Sequence, residues 1–344
     1  MPGINIGIDL GTTSIIIYVE NEGIVLSEPS VAAYDVDSGE LIALGDYAKS
    51  MIEKAPDTIR VVCPMREGVI SDFGVTETML RYYIKKICGN RIFKPNIIVS
   101  MPSSVTNLER RTVLDVVTSS GAGKACVIEE PLAAAIGAGL DIKRPGGHRV
   151  ADIGGGTSDI AVITMDSIAL SDSVRIAGDA FDTAIQRYCR RERDVLIGMP
   201  TAERLKTVLG CAYLPEEEIA VSVKGKHYLT GMPVSFEITS TEIYLALREQ
   251  VEAIGDAIKD VLERTPPELA NDIFTSGLVI TGGGGMLRGL AKAMGEKLKI
   301  TARLAPDAIN CVVKGTGYAL RNMQFLEDNG YVFKNREQIT GYTE

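Results

Sequence analysis

Glycines, hydroxyls and carboxylates recur in one order at two places in this sequence, and together they suit phosphate. The first stretch is Gly7-Ile8-Asp9-Leu10-Gly11-Thr12-Thr13-Ser14, and the second is Asp152-Ile153-Gly154-Gly155-Gly156-Thr157-Ser158-Asp159. In a tight turn, backbone N–H groups and hydroxyls converge on a concavity that accepts phosphate oxygens. Gly11, Thr12, Thr13 and Ser14 supply such groups in the first turn. Gly154, Gly155, Gly156, Thr157 and Ser158 supply them in the second. Asp9 and Asp152 carry the wrong charge to touch phosphate. They make sense if a cation stands between, a Mg2+ held largely through its waters.

A third stretch, Gly282-Gly283-Gly284-Gly285-Met286, follows the apolar run Leu278–Thr281. Glycines there let a flat ligand lie on bare backbone, so Gly282, Gly283, Gly284 and Met286 are expected to carry the base of a nucleotide whose phosphates the two turns clamp. Gly178-Asp179 opens a helix with a carboxylate in its first turn. Glu203 and Lys206 stand three apart on one helix face, where they can contact ribose and base or simply pair with each other. Cleavage of a terminal phosphate needs a positioned water and charge compensation. Glu109, at a helix start just past a strand end, is the candidate to orient that water. Arg110 and Arg111 are its competing partners. Asp152, Thr157 and Ser158 complete the group around the reacting phosphate. Neither GxxxxGK[ST] nor GxGxxG occurs, which excludes a P-loop enzyme and disfavours a Rossmann cofactor site.

These turns need scaffolds. Ile4–Ile8 and Ile15–Val19 flank the first, and Val150–Ile153 and Ile160–Ile163 flank the second; all are β-branched runs that read as strands. Each turn is too short for a crossover, so each pair is expected to form an antiparallel hairpin. Two such hairpins imply a duplicated α/β fold with its cleft between the copies. The first half spans 1–147, with a subdomain inserted at about 30–75. The second spans 148–326, with an insertion at about 183–240. A closing helix at 310–326 is expected to pack back toward the first half, Gly315 and Gly317 permitting close approach. Leu132–Ala138 is small and apolar and should pack closely on a neighbour. The tail, 327–344, is polar and expected to fray.

With 344 residues, two domains can each bury a core. A net charge of −9 and a pI near 5.0 argue against general nucleic-acid binding. Six cysteines form no CxxC pair and read as reduced core residues of a cytosolic protein. His148 and His227 lack metal-ligand spacing. The N-terminus has no signal-peptide pattern, and no apolar run is long enough to span a bilayer. The loop Gly89–Pro95 holds Ile92 and Phe93 between Arg91 and Lys94. It can dip into an anionic membrane surface or fold its apolar pair into the core.

The sequence resembles the bacterial actin family and, within it, the MreB family. The phosphate stretches alone would also fit the Hsp70 ATPase domain or sugar kinases. The further matches are Glu28-Pro29-Ser30-Val31, Glu109-Arg110-Arg111 and Glu129-Glu130-Pro131-Leu132-Ala133-Ala134-Ala135-Ile136-Gly137. The resemblance implies an actin-like, Hsp70-ATPase-like fold of four subdomains around a cleft for ATP and Mg2+. It implies slow ATP hydrolysis coupled to filament dynamics, with Glu109 at the family's water-orienting position. It also implies protofilaments paired antiparallel on the inner face of the cell membrane, contact with lipid through Ile92 and Phe93, and work with cell-wall elongation proteins in sidewall synthesis. The alternatives are a chaperone or reactivating ATPase of the Hsp70 kind, lacking here a client-binding domain, and a small-molecule kinase, lacking an evident catalytic base. Three departures stand out: Thr12-Thr13-Ser14 for the family's Ala-Asn-Thr, Ser158-Asp159 for Thr-Glu, and Pro306–Asn310 for an Asp-Pro-Leu opening.

Overall fold

The computed structural model describes residues 4–89 and 93–340. Its frame is one sheet built twice. In the first copy the strand order is Gly23–Pro29, Ser14–Val19, Asn5–Leu10, Asn96–Met101, Lys124–Glu129; in the second it is Ser167–Val174, Ser158–Thr164, His148–Ile153, Leu278–Thr281, Ala302–Leu304. Both run third-second-first-fourth-fifth. The first three strands are antiparallel, and the last two run parallel to the first. Strands covered on both faces read as continuous apolar runs. Ile6, Ile8, Ile15 and Ile17 bury on one face of the first sheet, and Ile16 and Tyr18 on the other. The second hairpin's first strand starts at His148, two residues before the β-branched run that marks it in the sequence.

Helices follow the same duplication. Asn107–Ser119 joins the fourth and fifth strands of the first sheet, as Leu290–Leu298 does in the second. Glu130–Gly137 follows the first sheet, and Cys311–Arg321 the second. These last two pack on each other between the sheets, in a shared core with Ile98, Val150, Ala161 and Val279. Their approach requires glycine. A Cβ on Gly315 would lie 1.8 Å from the Ala133 carbonyl oxygen, and one on Gly137 would lie 1.8 Å from that of Cys311. Each helix thus sets a small pair four residues apart against the other. The Cys311–Arg321 helix also lies on the first sheet, where a Cβ on Gly7 would strike Thr316 and the Arg321 guanidinium donates to the Tyr18 hydroxyl at 2.8 Å.

Three-stranded sheets sit within each insertion: Ala32–Asp35, Leu41–Leu44 and Ile59–Val62 in the first, and Val195–Leu196, Ala220–His227 and Pro233–Thr239 in the second. The C-terminal segment departs from expectation. Lys334 bridges to Ala125 on the edge strand of the first sheet, the Tyr331 hydroxyl donates to Glu129 at 2.6 Å, and Ile339 in the Arg336–Thr340 helix is buried in the first core. The short run Tyr331–Phe333 and Ile339 anchor an otherwise polar stretch, so it does not fray up to 340. Cys63 also departs from expectation, being exposed, while Cys126, Cys189, Cys211 and Cys311 are buried and all six are free.

Arg149, in the first strand of the second sheet, is 1% exposed, and none of its guanidinium nitrogens finds a partner among the described residues. Burial pushes its pKa down to about 10. An unpaired buried charge is costly. Arg149→Met, which keeps the aliphatic volume, is expected to stabilise the protein by about 1–3 kcal/mol. A thermal melt checks this, and a lowered midpoint would show that the guanidinium is satisfied in solution.

Candidate functional site

The two turns face each other. Gly11 N donates to Ser14 O at 3.0 Å to close the first, and Gly154 N donates to Thr157 O at 2.9 Å to close the second. A Cβ on Gly155 would lie 1.7 Å from Thr13 Oγ1, and one on Gly156 would lie 2.5 Å from Thr12 Oγ1. Only bare backbone fits there, and the loops touch. Thr12 Oγ1 accepts from Gly68 N at 2.9 Å, which leaves its proton to donate. Gly178 N and Asp179 N donate to the carbonyls of Gly154 and Gly155 at 3.1 and 2.8 Å, so the Gly178–Arg193 helix starts against the second turn.

Beneath the turns lies a set of carboxylates, Asp152, Asp159 and Glu130 buried and Asp9 half-buried. Asp9 Oδ1 accepts from Ser100 Oγ at 3.1 Å, and Asp152 Oδ1 accepts from Thr281 Oγ1 at 2.6 Å. Asp159, paired across the hairpin with Asp152, accepts from Ser103 N at 3.0 Å through Oδ1, while its buried Oδ2 has no partner. Glu130, 8% exposed, opens the Glu130–Gly137 helix beside them. Burial pushes Asp9 up to about 6 and Asp152 to about 7, the latter helped by the Asp9 charge. Burial and the charges of Asp159, Asp9 and Asp152 raise Glu130 well above its ordinary value. Four such groups cannot all ionise without a nearby cation.

The donor set fits the Mg2+ expected from sequence. It consists of oxygens only, as a hard cation requires. Among the described residues no group of three His, Cys, Asp or Glu side chains is placed to hold a metal ion directly. Asp9 and Asp152 would be the residues to hold it.

Other expected residues are placed differently. Ser158 is fully buried, and its hydroxyl donates to Ile176 O at 2.6 Å. In this structure the Ser158 hydroxyl is engaged away from the turn. Glu109 closes a capping box: its Oε2 accepts from Thr106 N and Thr106 Oγ1, both at 2.7 Å, and these bonds hold its carboxyl below the usual range. It stands near the surface, apart from that set. The sequence shows Glu130 only as one residue of the Glu129–Gly137 match, with nothing local to mark it as facing the aspartates.

Lys206 and Glu203 do not pair. Lys206 Nζ donates to Asp182 Oδ2 at 2.7 Å and to Gly178 O at 3.0 Å, fixing the helix start beside the second turn. Glu203 reaches across the cleft to Lys49 at 2.8 Å, and Arg175 to Glu67 at 2.7 Å. Burial raises Asp179 to about 6 despite Lys206. Of the four consecutive glycines, a Cβ on Gly282 would strike Ile153 O, one on Gly284 would strike Gly154 O, and one on Gly285 would strike Ile280. They let this strand end lie against the second turn, and Gly283 alone is open, with Met286 exposed beside it. A separate hollow of about 210 Å3 has a mixed lining that includes Ile136, Leu140, Asp141, Lys143, Tyr318 and Phe325.

A family model described as MreB/Mbl protein matches residues 3–328. The cell shape-determining protein Mbl of Bacillus subtilis is 43% identical over 323 residues, covering 94% of this chain and 97% of that protein. The cell shape-determining protein MreB of Escherichia coli is 43% identical over 322 residues, covering 92% and 93%. Among solved structures, MreB5 of Spiroplasma citri bound to AMPPNP superposes with a TM-score of 0.91 at 35% identity, covering 96% of this chain and 99% of that one.

Proposed function

The chain belongs to the MreB/Mbl family, and on that premise we propose that it binds ATP with Mg2+ between its halves, hydrolyses it slowly and polymerises into filaments that direct cell shape. The observation that carries this reading is the carboxylate set between two phosphate-shaped turns. Gly11, Thr12, Thr13 and Ser14 hold the phosphate chain from one side, and Gly154–Thr157 from the other. Mg2+, when bound, neutralises charge on the phosphates. Glu130, rather than Glu109, accepts a hydrogen bond from the attacking water. Its chain neighbour Glu129, just before the helix, is gripped from two sides by Arg110 at 2.7 Å and Tyr331 at 2.6 Å. Glu203 exchanges Lys49 for the ribose as the cleft fills.

The filaments are proposed to pair antiparallel on the inner face of the cytoplasmic membrane, where they organise cell-wall elongation proteins. Phe93 supports the lipid contact: it is 60% exposed, beside Lys94. Ile92, its expected companion, lies outside the described residues. Electron microscopy with ATP and anionic vesicles should show paired filaments on the lipid. Phe93→Asp is expected to keep the filaments and lose the vesicles in a flotation assay. Unchanged flotation would remove the membrane role of this loop, and the absence of filaments with ATP would remove the polymer.

A further inference from the structure

The duplication repeats a detail finer than the hairpins. Asp9 lies on the first strand of its sheet, and Ser100 on the neighbouring parallel strand at the next register step after Ile8↔Val99. Asp152 and Thr281 are direct register partners on the corresponding strands of the second sheet. In both copies a buried hydroxyl at the C-terminal end of the fourth strand donates to Oδ1 of the hairpin aspartate. Ser100 is 2% exposed and Thr281 is 0% exposed, so neither hydroxyl meets solvent. Either position could hold an apolar residue in an otherwise apolar run, Asn96–Met101 or Leu278–Thr281.

We propose that Ser100 and Thr281 are twin positioning residues for cation binding, each holding one oxygen of its aspartate so that the other is presented to the water shell of Mg2+. A carboxylate with both oxygens loose can rotate, or turn toward Asp159 and Glu130. Fixing Oδ1 removes that freedom, and outer groups of this kind orient a metal's ligands. The shorter bond, at Thr281, is the stronger brace.

This rests on the Mg2+-nucleotide reading of the cleft. The test separates the two by measuring Mn2+ binding, in place of Mg2+, to the full chain loaded with ADP. Free Mn2+ is read by electron paramagnetic resonance, and ADP affinity is measured separately in EDTA. Thr281→Val is expected to weaken Mn2+ binding about tenfold and Thr281→Ser hardly at all, with ADP affinity in EDTA unchanged in both. Ser100→Ala should shift Mn2+ binding in the same direction and serves if the valine variant does not fold. Wild-type Mn2+ affinity in Thr281→Val would overturn the proposal, as would equal losses in the serine and valine variants. Parallel loss of ADP affinity in EDTA would also overturn it, by assigning the hydroxyl to the fold. Failure of the wild-type protein to bind ADP would instead remove the nucleotide reading.

Discussion

Glu130→Gln is expected to bind ATP about as well as the wild type and to lose ATP turnover by about 10²–10³-fold, in the range for removing a group that acts on the reacting water. The same substitution should raise the melting point of the nucleotide-free protein. The Glu130 carboxyl is raised by burial and by three neighbouring carboxylates, so the fold disfavours its charged form. A raised acid stabilises the fold while protonated and loses that contribution as pH rises through the folded value. At pH 8 a neutral amide therefore relieves strain that the wild type carries. Glu109→Ala should do the reverse: turnover stays within a few-fold, while stability falls by about 1 kcal/mol with the capping box. Single-turnover hydrolysis and thermal melts on both variants decide the assignment. A collapse of turnover in Glu109→Ala, with Glu130→Gln near wild type, would return the role to Glu109.

The second large effect is structural. Gly315→Ala should leave little or no soluble folded protein, although alanine is the better helix former by about 1 kcal/mol. Its methyl carbon would meet the Ala133 carbonyl oxygen at 1.8 Å, with Ala133 C at 2.5 Å. Backbone cannot yield as a side-chain end can. The two central helices would have to part, opening the shared core around Val150, Cys311 and Val312. Overpacking usually costs about 1–3 kcal/mol, and here it also pries apart the halves, so a loss above that range is expected. Gly74→Ala is the control. Its nearest neighbour would be Asp72 Oδ1 at 3.8 Å, and it should fold normally. Far-UV circular dichroism and soluble yield give the result, and a Gly315→Ala protein melting like the wild type would mean that the helices do not sit this close.

Sequence carried what is local. Each hairpin is a strand, a turn and a strand within twenty residues, and its strands and register follow from β-branched runs and turn length. The small residues Ala133, Gly137 and Gly315 announced a close helix contact, although not which helices made it. What was not legible depended on distance or direction. Glu130 sits in an apolar helix whose approach to Asp9, Asp152 and Asp159 only the folded chain creates. Ser158 and Thr157 look alike in sequence, but the strand opens at Ser158, whose hydroxyl turns inward to Ile176 O. Ser100 and Thr281 are single hydroxyls in apolar strands. Their one signal was position: each lies at or one residue before the end of a strand parallel to one that bears an aspartate. The tail looks unanchored in sequence because only the short run Tyr331–Phe333 and the lone Ile339 interrupt its polar residues.

The central claim is that one nucleotide's phosphates lie between the two turns, over the aspartates. In the present structure Thr13 and Gly155 touch, so binding must part them. A crystal structure of the protein with AMPPNP and Mg2+ tests this most directly. It should show the phosphates between Gly11–Ser14 and Gly154–Thr157, Mg2+ one water layer from Asp9 and Asp152, and Glu130 facing the terminal phosphate. A nucleotide seated elsewhere, or turns still in contact with the nucleotide bound, would contradict the account.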